Sequence, residues 1–383
     1  MTWNDHNHYC AGGLFHGQPD VLWYPKLLSS SRKDTVRHLP GPLRQVLKHV
    51  SRSFYLTLAV LPSSMRTPLG LAYLLARAAD TIADTRILPR TDRLHYLDIL
   101  RRELDLPGVS GLDAIIAALP DTQRLPIERE LLLRLPECFA AFPALSEQDR
   151  LRIRDLLLAL THGMQEDLRM FPGEGPGQLA ALETRADLDR YTYFAAGCVG
   201  EFWTDMAMAH LPALHRWDVS TMRIRGKHFG QGLQMTNVLR DVAQDLRIGR
   251  CYLPRQDLLA VGLRPSDLLD PAAADRLQPL LHNLLCLTLS HYSEGWAYLL
   301  AIPTTEIRMR LACTWPLLIG LRTLNLIQQA RDLLNPQVTQ KISRSAVYGI
   351  MARSIALAWS NRALDRYYRL LCSRITVTPT LAV

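Results

Sequence analysis

Residues 70–85 read GLAYLLARAADTIADT, and their spacing decides what this chain builds. Tyr73, Arg77, Asp80 and Asp84 recur at i, i+4, i+7 and i+11, so a helix carries all four on one stripe. The side chains around them are mostly small or apolar, from Leu71 and Ala72 through Leu74, Leu75, Ala78 and Ala79 to Ile82. A helix of that composition is buried, and carboxylates held there need cations beside them. Arg77 can neutralise Asp80 at i+3, and on this stretch alone such a pair explains the pattern as well as a ligand site does.

Residues 230–250, GQGLQMTNVLRDVAQDLRIGR, repeat the theme. Gln234, Asn237, Asp241 and Asp245 follow one another at +3, +4 and +4 with Arg240 adjacent, while Val238, Leu239, Val242 and Leu246 take the other side. Two D-x-x-x-D stripes on largely apolar helices are hard to explain as surface salt bridging. Magnesium is the expected cation, because a few hard oxygen donors leave positions for water and phosphate oxygens. Two such walls face to face can hold a metal-bridged diphosphate. Gly249 ends the second helix and leaves Arg247 and Arg250 at the edge, ahead of Tyr252 and Pro254, where they can draw off a departing diphosphate.

Outward from these stretches the pattern is helical almost throughout, with apolar-periodic blocks at 43–60, 67–85, 91–104, 127–142, 147–169, 187–210, 219–246, 276–301, 306–333 and 343–372. The breaks at LPSS, LPGVSG, FPGEGPG and LNPQ are short loops, and neither a fixed-period repeat nor a run of alternating strands is visible. One all-α domain over residues 43–373 is expected, between an irregular extension at 1–42 and a tail at 374–383. Gly173, Gly175 and Gly177 lack both the GxGxxG spacing and a preceding strand, so no nucleotide loop is expected there. His6, His8 and Cys10 read as a tail rather than a metal site.

With 44 Lys plus Arg against 36 Asp plus Glu, the net charge of +8 favours an anionic partner. No nucleic-acid motif accompanies it, so nucleic acid is not expected. Seven scattered cysteines without a CxxC pair fit a reducing cytoplasm. The N-terminus MTWNDHNHYC has neither the basic nor the apolar region of a secretory signal, and the apolar run at 311–321 is too short to span a bilayer. A cytoplasmic protein, with peripheral contact at the inner face of the membrane, is expected.

Taken together, SRSF at 51–54, YLLARAADTIAD at 73–84, YTYFAAGCVG at 191–200 and QMTNVLRDVAQD at 234–245 resemble, in order, the squalene/phytoene synthase family. The resemblance runs from about Leu43 to Arg344 and implies the isoprenoid synthase fold, a helical bundle around a deep central cavity. It implies that Asp80, Asp84, Asp241 and Asp245 bind magnesium-diphosphate. It also implies that Ser51, Arg52, Ser53, Tyr73, Arg77, Asn237 and Arg240, with Arg247 and Arg250 at the edge, contact substrate phosphates or support the metal. Tyr191 would sit by the reacting allylic carbons, its phenol helping to move the proton lost in cyclopropane formation and its ring facing the cation. Without the resemblance, Tyr191 and Tyr193 read as packing aromatics.

The reaction implied is head-to-head joining of two farnesyl diphosphates to presqualene diphosphate. Members then diverge between NADPH-dependent reduction to squalene and non-reductive outcomes: phytoene, dehydrosqualene or the intermediate itself. KISR at 341–344 resembles the basic stretch of the reductive enzymes, which implies that Lys341 and Arg344, with Arg77 and Asn237, hold NADPH, although Ser343 stands where the family has a basic residue. The first motif also lacks the glutamate that eukaryotic squalene synthases place before the second aspartate, and RIGRCYLP suits phytoene synthases equally. The squalene reading is preferred. The rival from another class is a non-catalytic helical membrane-surface protein, suggested by the basic, aromatic block at 352–374; the four aspartates speak against it.

Overall fold

The computed structural model describes residues 39–51, 54–105, 108 and 111–375. Seventeen α-helices run through them: α1 Gly41–Val50, α2 Phe54–Val60, α3 Ser63–Asp84, α4 Arg90–Asp105, α5 Leu112–Ala118, α6 Pro126–Leu133, α7 Leu135–Ala141, α8 Glu147–Met170, α9 Arg185–Thr192, α10 Cys198–His210, α11 Val219–Arg240, α12 Val242–Arg247, α13 Arg255–Ala260, α14 Ala274–Ala301, α15 Ile307–Gln329, α16 Arg344–Leu357 and α17 Asn361–Cys372. The expected blocks are all present, but several are broken, each by local chemistry. The block at 127–142 splits at Arg134, and Pro136 sits in the first turn of α7, where its missing N–H costs nothing. The last block splits where Ser360 caps α17, its hydroxyl accepting from Ala363 N at 3.3 Å. The block at 187–210 contains a π-turn at Tyr193–Gly197, an inserted residue that re-aims α9 relative to α10.

The second aspartate stretch is also not one straight helix. Asp241 leaves helical geometry at φ −99° and ψ 8°, and α12 restarts behind it. Backbone bonds from Asp241 N to Asn237 O and from Asp245 N to Asp241 O, both 2.9 Å, carry across the kink, so the polar stripe survives. The absence of strands needs one correction: β1 Ala180–Ala181 pairs in parallel with β2 Arg250–Cys251. Gly249, at φ +83°, makes the left-handed turn into β2. This small pairing clamps the backbone of Arg250. The structure opens α1 at Gly41, behind Pro40, two residues ahead of the expected domain start. Most of the N-terminal extension, including His6, His8 and Cys10, lies outside the described residues.

α11 runs at the centre, packed against α10, α14 and α15, while α3 packs on α4 and α8. The α10–α11 crossing is closed by glycines. A Cβ on Gly200 would stand 1.7 Å from the carbonyl oxygen of Gly226, so only glycine permits this approach. Gly200→Ala is expected to destabilise the fold by about 1–3 kcal/mol through forced separation of the two helices, read as a lower urea midpoint; an unchanged midpoint would show that the crossing yields freely. The six described cysteines are all free.

Candidate active site

α3 buries Leu71, Leu74, Leu75, Ala78, Ala79 and Ile82 and leaves Tyr73, Arg77, Asp80 and Asp84 half-buried on one stripe. On the second wall Val238, Leu239, Val242 and Leu246 are buried, while Asn237, Asp241 and Asp245 stay half-open. Apolar burial thus sets the rotation of each helix, and the polar stripes follow from it.

Arg77 donates from Nη1 to Asp80 Oδ2 at 2.5 Å and from Nη2 to Glu128 Oε1 at 2.6 Å. The simple i+3 pair is therefore real, but it is half of a fork whose other arm reaches α6. Arg240 is itself buried and grips neighbouring Asp241 with both prongs, Nε to Oδ1 at 2.7 Å and Nη2 to Oδ2. Burial, only partly offset by Arg77 and reinforced by Asp84 and Glu128, pushes the Asp80 carboxyl up to about 7. Burial and then the Asp241 charge hold the Asp245 carboxyl well above the ordinary range. On both walls burial, with like charge added to it, thus disfavours the ionised carboxylate until a cation joins it.

Arg250 joins the walls. The turn at Gly249 and the β1–β2 pairing swing its side chain inward, 7% exposed, where Nη1 meets Asp167 Oδ2 at 3.0 Å. Although burial opposes its charge, Asp167, Tyr252, Asp84 and Asp245 hold its guanidinium firmly protonated, so one cation feels an aspartate from each stripe. Arg93 of α4 approaches from the far side; it donates to Ala83 O at 3.1 Å and pairs with Glu174, and burial and Arg250 push its pKa down to about 10.

Tyr191, at the end of α9, stacks on Tyr252 with ring centroids 4.2 Å apart and accepts from Gln234 Nε2 at 3.0 Å. Asn237 Nδ2 donates to Gln234 Oε1 at 3.2 Å, and Tyr252 donates to Asp167 Oδ1 at 2.9 Å. Burial, with Asp167 and Asp245 adding to it, raises the Tyr191 phenol far above its usual range. It is a neutral phenol, a proton donor and a ring face, and not a phenolate base.

The structure therefore gathers Asp80, Asp84, Arg77, Asn237, Arg240, Asp241, Asp245, Arg250 and Tyr191 around one region, with Tyr73 within electrostatic reach of Arg77. Arg247 is not brought in: it faces outward, its Nη2 3.4 Å from Leu269 O. Ser51 is buried and turns its hydroxyl back onto Leu47 O. Arg52 and Ser53 lie outside the described residues. Lys341 and Arg344 are exposed at the start of α16, and Ser343 caps that helix by accepting from Ala346 N at 3.2 Å. The segment before them is tied to the second wall, because Gln244 Nε2 donates to Thr339 Oγ1 at 3.2 Å. Sequence reading missed Glu128, Asp167, Arg93 and the Tyr191–Tyr252 stack. Each is isolated in sequence and meets the site only through folding.

Both walls offer hard oxygen donors, the kind of ligand magnesium takes. Among the described residues no three His, Cys, Asp or Glu side chains come together as a metal cage, and each wall offers two carboxylates instead. That is the arrangement a hard cation completes with phosphate oxygens and water. Asn237 Oδ1 is buried without a hydrogen-bond partner beside the carboxylates, as an additional oxygen donor.

The two aspartate-bearing walls stand in an all-α bundle, and solved structures match it in fold, the isoprenoid synthase fold. TcSQS with the ligand BPH1237 matches at TM-score 0.74 with 22% identity, covering 90% of this chain and 94% of that one. A dehydrosqualene synthase matches at 0.57 with 22% identity, covering 86% and 97%. The squalene/phytoene synthase family model matches residues 47–346, and the chain belongs to that family, which is of the prenyltransferase type. It is 25% identical over 336 residues to the squalene synthase of Eremothecium gossypii, covering 87% of this chain and 72% of that protein. It is 30% identical over 248 residues to the presqualene diphosphate synthase of Zymomonas mobilis, covering 64% and 70%. It is 29% identical over 282 residues to a bifunctional lycopene cyclase/phytoene synthase of Colletotrichum graminicola, covering 70% of this chain but 44% of that protein, so the chain spans less than half of the bifunctional relative. Among the described residues no helix is long and apolar enough to cross a membrane.

Proposed function

We propose that the protein is a squalene synthase, joining two farnesyl diphosphates head to head to presqualene diphosphate and reducing that intermediate with NADPH. The observation that carries the first half is the pair of half-open aspartate stripes, both within electrostatic reach of Arg250, which is itself paired with Asp167. Asp80 and Asp84 on one wall and Asp241 and Asp245 on the other would hold magnesium, which supplies charge stabilisation for a departing diphosphate. Arg77 and Arg240 fix the rotamers of the carboxylates beside them. Arg250 offers a fixed guanidinium to the leaving group between the walls. The stacked rings of Tyr191 and Tyr252 present π-faces to an allylic cation, and the neutral Tyr191 phenol can hand on a proton but is poorly placed to capture one as an anion. The proton lost on cyclopropane closure would then pass to the released diphosphate.

The reductive half is supported by the segment at 335–344. Gln244 fastens it to the helix carrying Asp241 and Asp245, and it delivers Lys341 and Arg344 as exposed cations suited to a dinucleotide's phosphates, with NADPH supplying the hydride when bound. The similarity to the Eremothecium squalene synthase covers more of the chain than that to the Zymomonas presqualene diphosphate synthase. A non-reductive synthase is the second reading, favoured by Ser343, whose use as a helix cap leaves two cations in the stretch.

The test is incubation with farnesyl diphosphate and magnesium, with and without NADPH, followed by product identification. Squalene formed only with NADPH supports the reading; presqualene diphosphate or dehydrosqualene regardless of NADPH overturns the reductive half. Lys341→Ala with Arg344→Ala is expected to retain presqualene diphosphate formation and lower squalene output by about 10²-fold, two charge-assisted contacts being removed. Unchanged squalene output would detach those residues from the cofactor.

A further inference from the structure

Residues 173–182 lie along the turn that aims Arg250 into the site. A Cβ on Gly249 would stand 3.0 Å from Gly173 O and 3.1 Å from Gly175 O, so this loop is seated directly on that turn. Ala180 N then donates to Gly249 O and Leu182 N to Cys251 O, both at 3.0 Å, bracketing Arg250 from either side. Just ahead of the loop, buried Phe171 meets Tyr252 edge to face, with ring centroids 5.1 Å apart. The segment is a strap over the base of Arg250, and it also reaches the first wall. Glu174, 39% exposed, pairs with Nη2 of Arg93, which is 2% exposed on α4. Nη1 of the same guanidinium donates at 3.1 Å to Ala83 O, one of the last-turn carbonyls that helix geometry leaves without a partner, one residue before Asp84.

One planar group therefore holds the end of the first wall with one prong and the strap over Arg250 with the other. Burial and the like charges of Arg250, Arg86 and Arg90, offset in part by Asp84, oppose a cation at this place, and an apolar side chain would fill it without that opposition. What an apolar side chain lacks is a rigid fork that fixes two segments at a set distance. We propose that Arg93 is a positioning residue: through Glu174 it bolts the Asp84 end of α3 to the strap that aims Arg250, and so sets the gap between the first wall and that guanidinium. Arg93 touches no reacting atom and acts only through the groups it holds. Its effect on rate rests on the reading of the site as one that releases diphosphate, whereas the bolt itself rests on the geometry alone.

The experiment compares the full wild-type chain with Arg93→Met combined with Glu174→Gln, by amide hydrogen exchange and by kinetics. The double variant removes the fork and both charges together, so its urea midpoint should stay near wild type. Exchange should rise at least about tenfold both at residues 81–86 and at residues 179–182, with α14 and α15 unchanged. With farnesyl diphosphate and magnesium, kcat for diphosphate release should fall about 10²-fold, the effect of a displacement near 1 Å, while KM stays within about twofold. Glu174→Gln alone keeps an acceptor for Nη2 and should recover most of the rate. Should the double variant fail to fold, Arg93→Lys replaces it, since a compact ammonium cannot hold two separated acceptors as a fork does, and it carries the same expectations. Faster exchange confined to the strap, or unchanged at both places, overturns the proposal. So does a wild-type kcat in a variant whose exchange has risen, or a loss that falls on KM alone. A wild-type chain that releases no diphosphate overturns the proposed function instead, and the exchange pattern, which needs no substrate, still decides whether the bolt joins the two segments.

Discussion

Asp84→Asn combined with Asp245→Asn is expected to lower diphosphate release from farnesyl diphosphate by about 10³-fold or more, the scale on which removal of preorganised charge stabilisation acts. The same variant should be as stable as the wild type or more so. Burial first, and then Asp84 beside Asp80 and Asp241 beside Asp245, raise the Asp80 and Asp245 carboxyls, so each wall holds ill-solvated like charge that asparagine relieves at constant shape. Activity falling while the urea midpoint holds or rises is the signature of groups arranged for a ligand and not for the fold. The residual rate should also demand more magnesium. A variant that releases diphosphate at the wild-type rate would remove these carboxylates from the chemistry, and one that is inactive because it unfolds would make them structural.

Arg250→Met should do the opposite on stability. Asp167 sits 3.0 Å from the buried guanidinium, and Asp84 and Asp245 lie within its electrostatic reach, so removing it leaves three partly buried carboxylates without that cation. Breaking a buried pair in this way costs about 3–5 kcal/mol. The sign of its pH dependence follows. Carboxylates stripped of their cation have folded-state pKa values raised above those of the unfolded chain, so the folded variant binds more protons and gains stability as pH falls. The gap between variant and wild type should therefore narrow from pH 8 to pH 5.5 in urea titrations. Arg250→Lys restores the charge without the planar fork, and is expected to recover much of the stability but little of the diphosphate release. Equal midpoints for wild type and methionine variant at both pH values would mean that the walls do not share this cation.

The two stripes were readable because helix period and apolar burial act locally: once Leu71, Leu74, Leu75, Ala78 and Ile82 must face inward, Asp80 and Asp84 can only face the other way. The same reasoning holds from Asn237 to Asp245, and it tolerates the kink at Asp241 because the backbone bonds continue across it. Arg247 and Arg250 show where local reasoning stops. Three residues apart beside Gly249, they look equivalent in sequence, yet the turn and the pairing with β1 send Arg250 inward and leave Arg247 facing solvent. Ser51 lies within a family-like motif but spends its hydroxyl on its own helix. Glu128 and Asp167 carry no local signal because their partners, Arg77 on α3 and Arg250 on β2, lie far away in the chain.

By itself, then, the sequence determined an all-helical chain, the rotation of each aspartate helix, and the order of family-like motifs along it. All three depend on side-chain period and on residues within a few turns of one another. Only the tertiary structure decided that both walls lie within reach of one buried arginine, that Tyr191 stacks on Tyr252 as a neutral phenol, and that Arg93 meets both the end of α3 and Glu174. Those features depend on desolvation and on contacts between distant segments, and neither energy exists until the helices have packed.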